Sequence, residues 1–321
     1  MRRLYRRHQH ARIPKALGLF GEAAIKLSTI DPDGDLREEA HEPLTLLAAD
    51  HSAGDAWGYP FDVQTRWSFY SAYSPNVVVT AFAGGALAKG AEAFGVHHFA
   101  VRSTQAAQWV LSKCFNSSLG AFSYHEHSDT VIHNANLLGA RLVWNQLGSD
   151  PCARDAVKRS VERTLAAQAS DGTWAYGEGP GLEWNDSFHT GFVLSALVEL
   201  SDVDAAVSDA VARGATAYAD AFFGARGEAQ LWPNKQFPED AHAAGTGLST
   251  LAKLNNLTLV DPELLARVAN RVVTSTVTDA HAIWRRNRWT KSHIPYIRWC
   301  DAHVACGIAD AAVALASSGA D

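Results

Sequence analysis

Three short runs place an aspartate two or three residues ahead of a histidine: Asp186 and His189, Asp240 and His242, Asp301 and His303. An aspartate at a helix start accepts the first free backbone N–H groups and suits the positive end of the helix dipole, so capping alone accounts for each acid. Capping does not account for the histidines. The same dipole disfavours an imidazolium in the first turn, so a neutral ring is expected there, able to accept or relay a proton. Asp186, His189, Asp240 and His242, joined by Tyr296, are therefore the candidate catalytic groups.

Aromatic loops precede these runs. They read DAWGYPFD, GAFSYHEH, GTWAYGEG, AQLWPNKQ and AIWRRNRW, with Trp57, Phe122, Trp174, Trp232 and Trp284 recurring every 52 to 65 residues. Trp57, Tyr59, Tyr124, Trp174, Tyr176, Trp184 and Trp232 offer faces that stack on sugar rings, although plain packing is expected to claim about half of such residues. Asp62 and Glu178 add carboxylates, and His133, Asn134 and Asn136 add polar groups. The run WRRNRWTKSHIPYIRW contributes Arg288 and Arg298. That run is either a solvated basic loop or a means of recognising an anionic substituent, a uronate or phosphate, through charge-assisted bonds.

Two chemistries fit this set. Removal of a proton from a uronate carbon needs a titrating His or Tyr and a group that offsets the carboxylate, for which Asn136, His189, His242, Tyr296 and Arg298 are the candidates. Glycoside hydrolysis needs two carboxylates instead, and Asp186 with Asp240 is the best pair.

The elements that position these residues are helices. A period of 3.6 residues recurs near 15–29, 76–93, 98–113, 134–147, 153–168, 187–200, 203–223, 241–254, 262–277 and 302–317, while strand signals are scarce. The helix after each aromatic loop is rich in Ala, Gly and Leu, and the next one carries charge, as at Asp155, Lys158, Arg159, Glu162 and Arg163. The first kind suits an inner ring of closely spaced helices and the second an outer ring. The expected fold is all-α: an α/α toroid of five to six hairpins, in which the N-termini of all inner helices converge on one mouth. A linear helical solenoid is the rival. No linker interrupts the chain, so residues 1–321 read as one domain, with N-terminal helices and a basic arm in 1–50 and repeated hairpins in 51–321.

A net charge of −6 argues against nucleic acid as a partner. Arg2, Arg3, Arg6, Arg7, Arg12 and Lys15 read as a solvated arm, with a weak membrane-surface or partner contact as the alternative. The longest apolar stretch, Val77 to Ala88, is too short to span a bilayer, and no secretory signal is evident. Cys114, Cys152, Cys300 and Cys306 lack framework spacing, which suits the cytoplasm. Cys300, His303 and Cys306 share one helical face, but helical thiols at this spacing are more often core, and no metal or cofactor is expected.

Six ordered motifs, WGYPFDVQTRW, FSYHEHSDTVIHNANLLGA, DGTWAYGE, WNDSFHTGF, FPEDAH and HIPYIRW, span residues 57–299. Through them the chain resembles a family of α/α-barrel proteins of bacterial exopolysaccharide gene clusters, often labelled as prenyltransferase or squalene-cyclase-repeat proteins. The resemblance implies a toroid and a role in bacterial glycan metabolism, and it transfers no catalytic assignment. At 298–303 the chain reads RWCDAH where relatives tend to read RWSQAW, which sets His303 apart. The expected function is a carbohydrate-active enzyme acting on an acidic glycan, with a non-catalytic glycan-binding protein as the alternative. A terpenoid cyclase, suggested by Gln168 and Asp171-Gly172-Thr173-Trp174, is a weaker one, since no DxDD-type acid cluster accompanies it.

Overall fold

The computed structural model describes residues 12–64 and 69–318, so Arg2, Arg3, Arg6 and Arg7 of the basic arm lie outside the described residues. The described helices are α1 (Pro14–Leu27), α2 (Leu36–Ala48), α3 (Val77–Phe94), α4 (His97–Trp109, continued by a π turn over Val110–Cys114), α5 (His133–Leu147), α6 (Pro151–Ala166), α7 (Ser187–Glu199), α8 (Ala206–Phe222), α9 (Ala241–Asn256), α10 (Pro262–Ser275) and α11 (Asp301–Ser318). Helices α1, α3, α5, α7, α9 and α11 each pack on the next, and α11 returns to α1. That closure makes a toroid and rules out the linear solenoid. Its inner ring has six helices, with α1 in the sixth place. Helices α2, α4, α6, α8 and α10 lie outside it.

Small residues let the inner helices approach closely. A Cβ on Gly245 of α9 would lie 2.4 Å from the backbone carbonyl of His303, and one on Gly307 of α11 would lie 2.3 Å from the carbonyl oxygen of Gly245. These two helices therefore meet backbone to backbone. The outer helices are amphipathic, as α10 shows by burying Leu264, Leu265, Val268 and Val272 along one stripe. Helix α2 shows no clear 3.6-residue period in the sequence because Pro43 interrupts an acidic, weakly apolar segment. The residues of the suspected cyclase motif form a structural turn. Gln168 donates to the carbonyls of Gly172 and Ala210, and Gly172 sits at φ +87° against the backbone of Arg213.

Helix α3 runs on to Phe94, beyond the apolar stretch read from the sequence. It is the one helix among the described residues long and apolar enough to cross a membrane, and most of it is buried inside the ring. Two-residue strands brace the loops. β1 (Val63–Gln64) pairs with β2 (Phe69–Tyr70), β3 (Phe115–Asn116) with β4 (Ala121–Phe122), and β5 (Glu239–Asp240) with β6 (Arg285–Arg286), which also pairs with β7 (Lys291–Ser292).

Candidate functional site

A cleft of about 380 Å³ opens at the N-terminal end of the inner ring. Its lining includes Tyr59, Phe61, Tyr70, Asn76, Tyr124, His125, Tyr176 and Glu178, from the loops that lead into α3, α5 and α7. Tyr70 stacks on His125 with ring centroids 3.8 Å apart, and Tyr176 stacks on Trp184 at 4.3 Å. The Arg298 guanidinium lies 4.2 Å from the Tyr59 ring centre and 4.9 Å from that of Phe61. Burial pushes the phenol of Tyr176 up to about 12 and holds His125 down at about 4, so both are neutral near pH 7.

His189 stands behind the cleft lining, against Tyr176. Its ring is 4.6 Å from Tyr176 and 5.5 Å from Trp184. Asp186 caps α7 by accepting the His189 backbone N–H at 2.9 Å, and its carboxylate also meets His189 Nδ1 at 2.9 and 3.0 Å. Capping and orientation thus fall to one carboxylate. With the Nδ1 proton held there, Nε2 is left as the basic nitrogen.

Deeper, on the ring axis, His242 of α9 and His303 of α11 have centroids 4.4 Å apart. Phe188 stacks on His242 at 4.1 Å, and Phe192 touches both histidines. Burial, and then the neighbouring His303, Lys15, His189 and Arg298, drive His242 well below the usual imidazole range. Burial and Lys15 do the same to His303. Lys15 of α1 completes the group. It is 3% exposed, with Nζ 4.5 Å from the Phe82 ring centre and 5.4 Å from that of Phe192. Burial, and then Arg298, lower its amine to about 7. Lys15 is therefore no part of a solvated arm. The sequence held a signal for this: Lys15 is the second residue of an apolar helix that opens with Pro14, as His242 is the second residue of α9.

Other expected site residues lie elsewhere. Asp240 caps α9 through the N–H groups of His242 and Ala243, and its second oxygen accepts from Arg285 at 2.6 Å. Burial raises its carboxyl even so. Asn136 accepts from Phe122 N and donates to the Ser160 carbonyl and the Thr164 hydroxyl, so it joins α5 to α6 and faces away from the mouth. His133 turns the same way, 3.3 Å from Thr164. Trp57 and Trp174 are core residues, each 1% exposed; Trp174 donates to the Thr164 carbonyl, and Trp57 lies under the Arg102 guanidinium. A large ring beside a tight loop packs inward when the outer helix leaves room for it.

Trp232 stays at the surface, 6.1 Å from Trp184. Asn134 is buried beside Trp174 and His189 rather than lining the cleft. Exposed Asp62 accepts from Ala72 N and so ties the start of β1 to the end of β2. Tyr296 packs on Trp284 and Trp299. Arg288 is exposed beside Trp289, outside the cleft lining, and Arg285 and Arg286 pair with Asp240 and Glu239. Of the basic run, Arg298 is the member that reaches the site. No group of three metal-ligating side chains occurs among the described residues. Cys306 meets Lys26 and Asp310, apart from the His242–His303 pair.

No protein-family model and no curated protein sequence matches the chain. Solved structures do. A heparin-specific unsaturated glucuronyl hydrolase superposes with a TM-score of 0.70 at 12% identity, over 96% of this chain and 87% of that one. A D-mannose isomerase gives 0.69 at 10% identity, over 96% and 88%. The cellobiose 2-epimerase of Bacillus thermoamylovorans gives 0.68 at 11% identity, over 93% and 87%. At such identities the likeness is one of fold, and these neighbours share the α/α toroid.

Proposed function

We propose that this protein is a carbohydrate-active enzyme of polysaccharide metabolism inside the bacterial cell, one that moves a proton on a sugar carbon as an epimerase, isomerase or lyase does. The observation that carries the reading is the Asp186–His189 pair packed against Tyr176 of an aromatic cleft, with the neutral His242–His303 pair nearby. A neutral imidazole can take a proton from carbon, and a second can return one or pass it on. Tyr59, Tyr124, Tyr176 and Trp184 would hold the sugar, with Glu178 and Arg298 at its edges.

Hydrolysis by two carboxylates is less well supported. Asp240 is committed to its cap and to Arg285, and Glu178 is held by both ends of the Arg163 guanidinium. The same fold serves an isomerase, an epimerase and a glucuronyl hydrolase, so the choice between proton transfer and hydrolysis rests on the side chains of the site.

Incubation in D2O with neutral and uronic oligosaccharides, read by mass spectrometry, tests this. Deuterium should enter a carbon position. Asp186→Asn and His189→Gln should each slow its entry roughly 100-fold. Because Asn caps as well as Asp, stability in Asp186→Asn should change by less than about 1 kcal/mol. Hydrolytic cleavage with no carbon-bound deuterium would overturn the reading.

A further inference from the structure

Three nitrogen groups from three inner helices meet on the ring axis, with no anion beside them among the described residues. His242 Nε2 and His303 Nε2 are buried and have no hydrogen-bond partner. Among the described residues no acceptor or carboxylate pairs with Lys15, whose contacts are the faces of Phe82 and Phe192. The cluster is continuous: Phe82 lies 5.6 Å from His303, Phe192 lies 5.6 Å from His303 and 5.8 Å from His242, and the two imidazoles are 4.4 Å apart. Among the described residues the charged or titratable groups acting on this cluster are Arg298 and His189, and neither is an anion at neutral pH.

Buried polar atoms in folded proteins are almost always satisfied, and a buried ammonium needs a counter-charge. Here a lysine amine and two imidazole nitrogens able to present N–H groups form a cluster with no anion among the described residues. Its natural complement is a group that only accepts. An ionised carboxylate is such a group, and it carries the single negative charge that one ammonium matches. Arg298, above Tyr59 and Phe61, links this set to the cleft wall.

We infer that the ring axis holds a carboxylate subsite, formed by Lys15, His242 and His303, and that the sugar bound in the cleft is a uronic acid. The inference rests on the cleft being the sugar site, and it names the class of sugar. Binding of the uronate would draw a proton onto Lys15, because a nearby anion favours the charged amine.

The test uses protein labelled with 15N in its lysine side chains, the Lys15 signal being assigned by its loss in Lys15→Met. Glucuronate should move the Lys15 titration midpoint upward by about one pH unit or more, and glucose should not. By calorimetry, Lys15→Met should weaken glucuronate about tenfold or more while leaving glucose within about twofold, the scale of a lost charged hydrogen bond. Lys15→Arg, which keeps the charge, should recover part of the loss. Equal responses to glucose and glucuronate would overturn the subsite. So would a response to phosphate or chloride with glucuronate silent, or unchanged glucuronate binding in Lys15→Met. The Lys15 readout does not depend on turnover. Uronate binding without deuterium entry would therefore count against proton transfer and leave the subsite standing.

Discussion

The same six inner helices end in two opposite electrostatic arrangements. At their N-terminal mouth, Lys15, His242 and His303 are buried without acidic partners among the described residues. Toward the other end every inner helix contributes a charge, and the charges interlock. Lys26 of α1 meets Asp310 of α11 at 2.7 Å, and Glu22 of α1 accepts from Lys89 of α3 at 2.6 Å. Arg141 of α5 and Lys253 of α9 both hold Glu199 of α7. Burial pushes Glu22 up, but Lys89 and Lys26 outweigh it and bring the carboxyl to about 2. Glu199 is likewise held low by Arg141 and Lys253 against its burial. One end is neutralised internally and closes the barrel. The other is left for something from outside to neutralise.

The largest effect should come from breaking the closed end. Glu22→Ala leaves Lys89 without its buried partner and Lys26 with one fewer, and should destabilise the fold by about 3 kcal/mol in a denaturant titration. The opposite sign is expected at the mouth. Lys15 titrates near 7 in the fold and near 10.5 when unfolded, so below pH 7 its protonation opposes folding, and that penalty is relieved as pH rises from 7 to 10.5. Lys15→Met should therefore stabilise the protein at pH 6 by on the order of 2 kcal/mol, measured as a rise in Tm. Loss of stability there would mean that Lys15 has an acidic partner and that the contrast between the ends is false.

Acid should separate the two ends. The mouth histidines have lowered folded pKa values, so the unfolded chain gains protons first and stability falls as pH drops below about 6.5, reaching past 4 for His125. Glu22 contributes stability that is present above about 4.5 and lost as pH falls toward 2. Protection against amide exchange in α9 and the loop before α5 should thus fall between pH 6 and 4.5, ahead of its loss in the C-terminal turns of α1 and α3. Simultaneous loosening of both ends would remove the distinction. The smallest effect belongs to Trp289, 84% exposed on the β6–β7 loop. Trp289→Ala should leave stability within about 0.5 kcal/mol, and should leave glucuronate binding unchanged if Arg288 and Trp289 stand outside the site.

The fold is largely legible in the sequence. The aromatic loops mark the spacing of the hairpins, and the polar residues after them mark the helix starts: Asn76, Asp186 and Asp240 are all N-caps whose side chains accept backbone N–H groups. Capping is a local interaction, so a local sequence reveals it. The Asp186–His189 pair was legible for the same reason, being one helical turn long.

What the sequence could not decide is which way each residue faces. Asn134 and Asn136 stand two apart on one helix; the second is taken by Ser160 and Thr164 of α6, whereas the first lies beside His189. Trp174 and Trp184 belong to one loop, yet one fills the core and the other stacks at the cleft edge. Lys15 reads as one more cation in a basic terminus until ring closure brings α1 against α11 and α3, and Phe82 and Phe192 onto its amine. Composition and periodicity determined that there would be a ring with one polar mouth, because burying apolar stripes and satisfying helix ends are requirements of each segment alone. The meeting of Lys15, His242 and His303 depends on closing a chain almost 300 residues apart, and only the tertiary structure decided that.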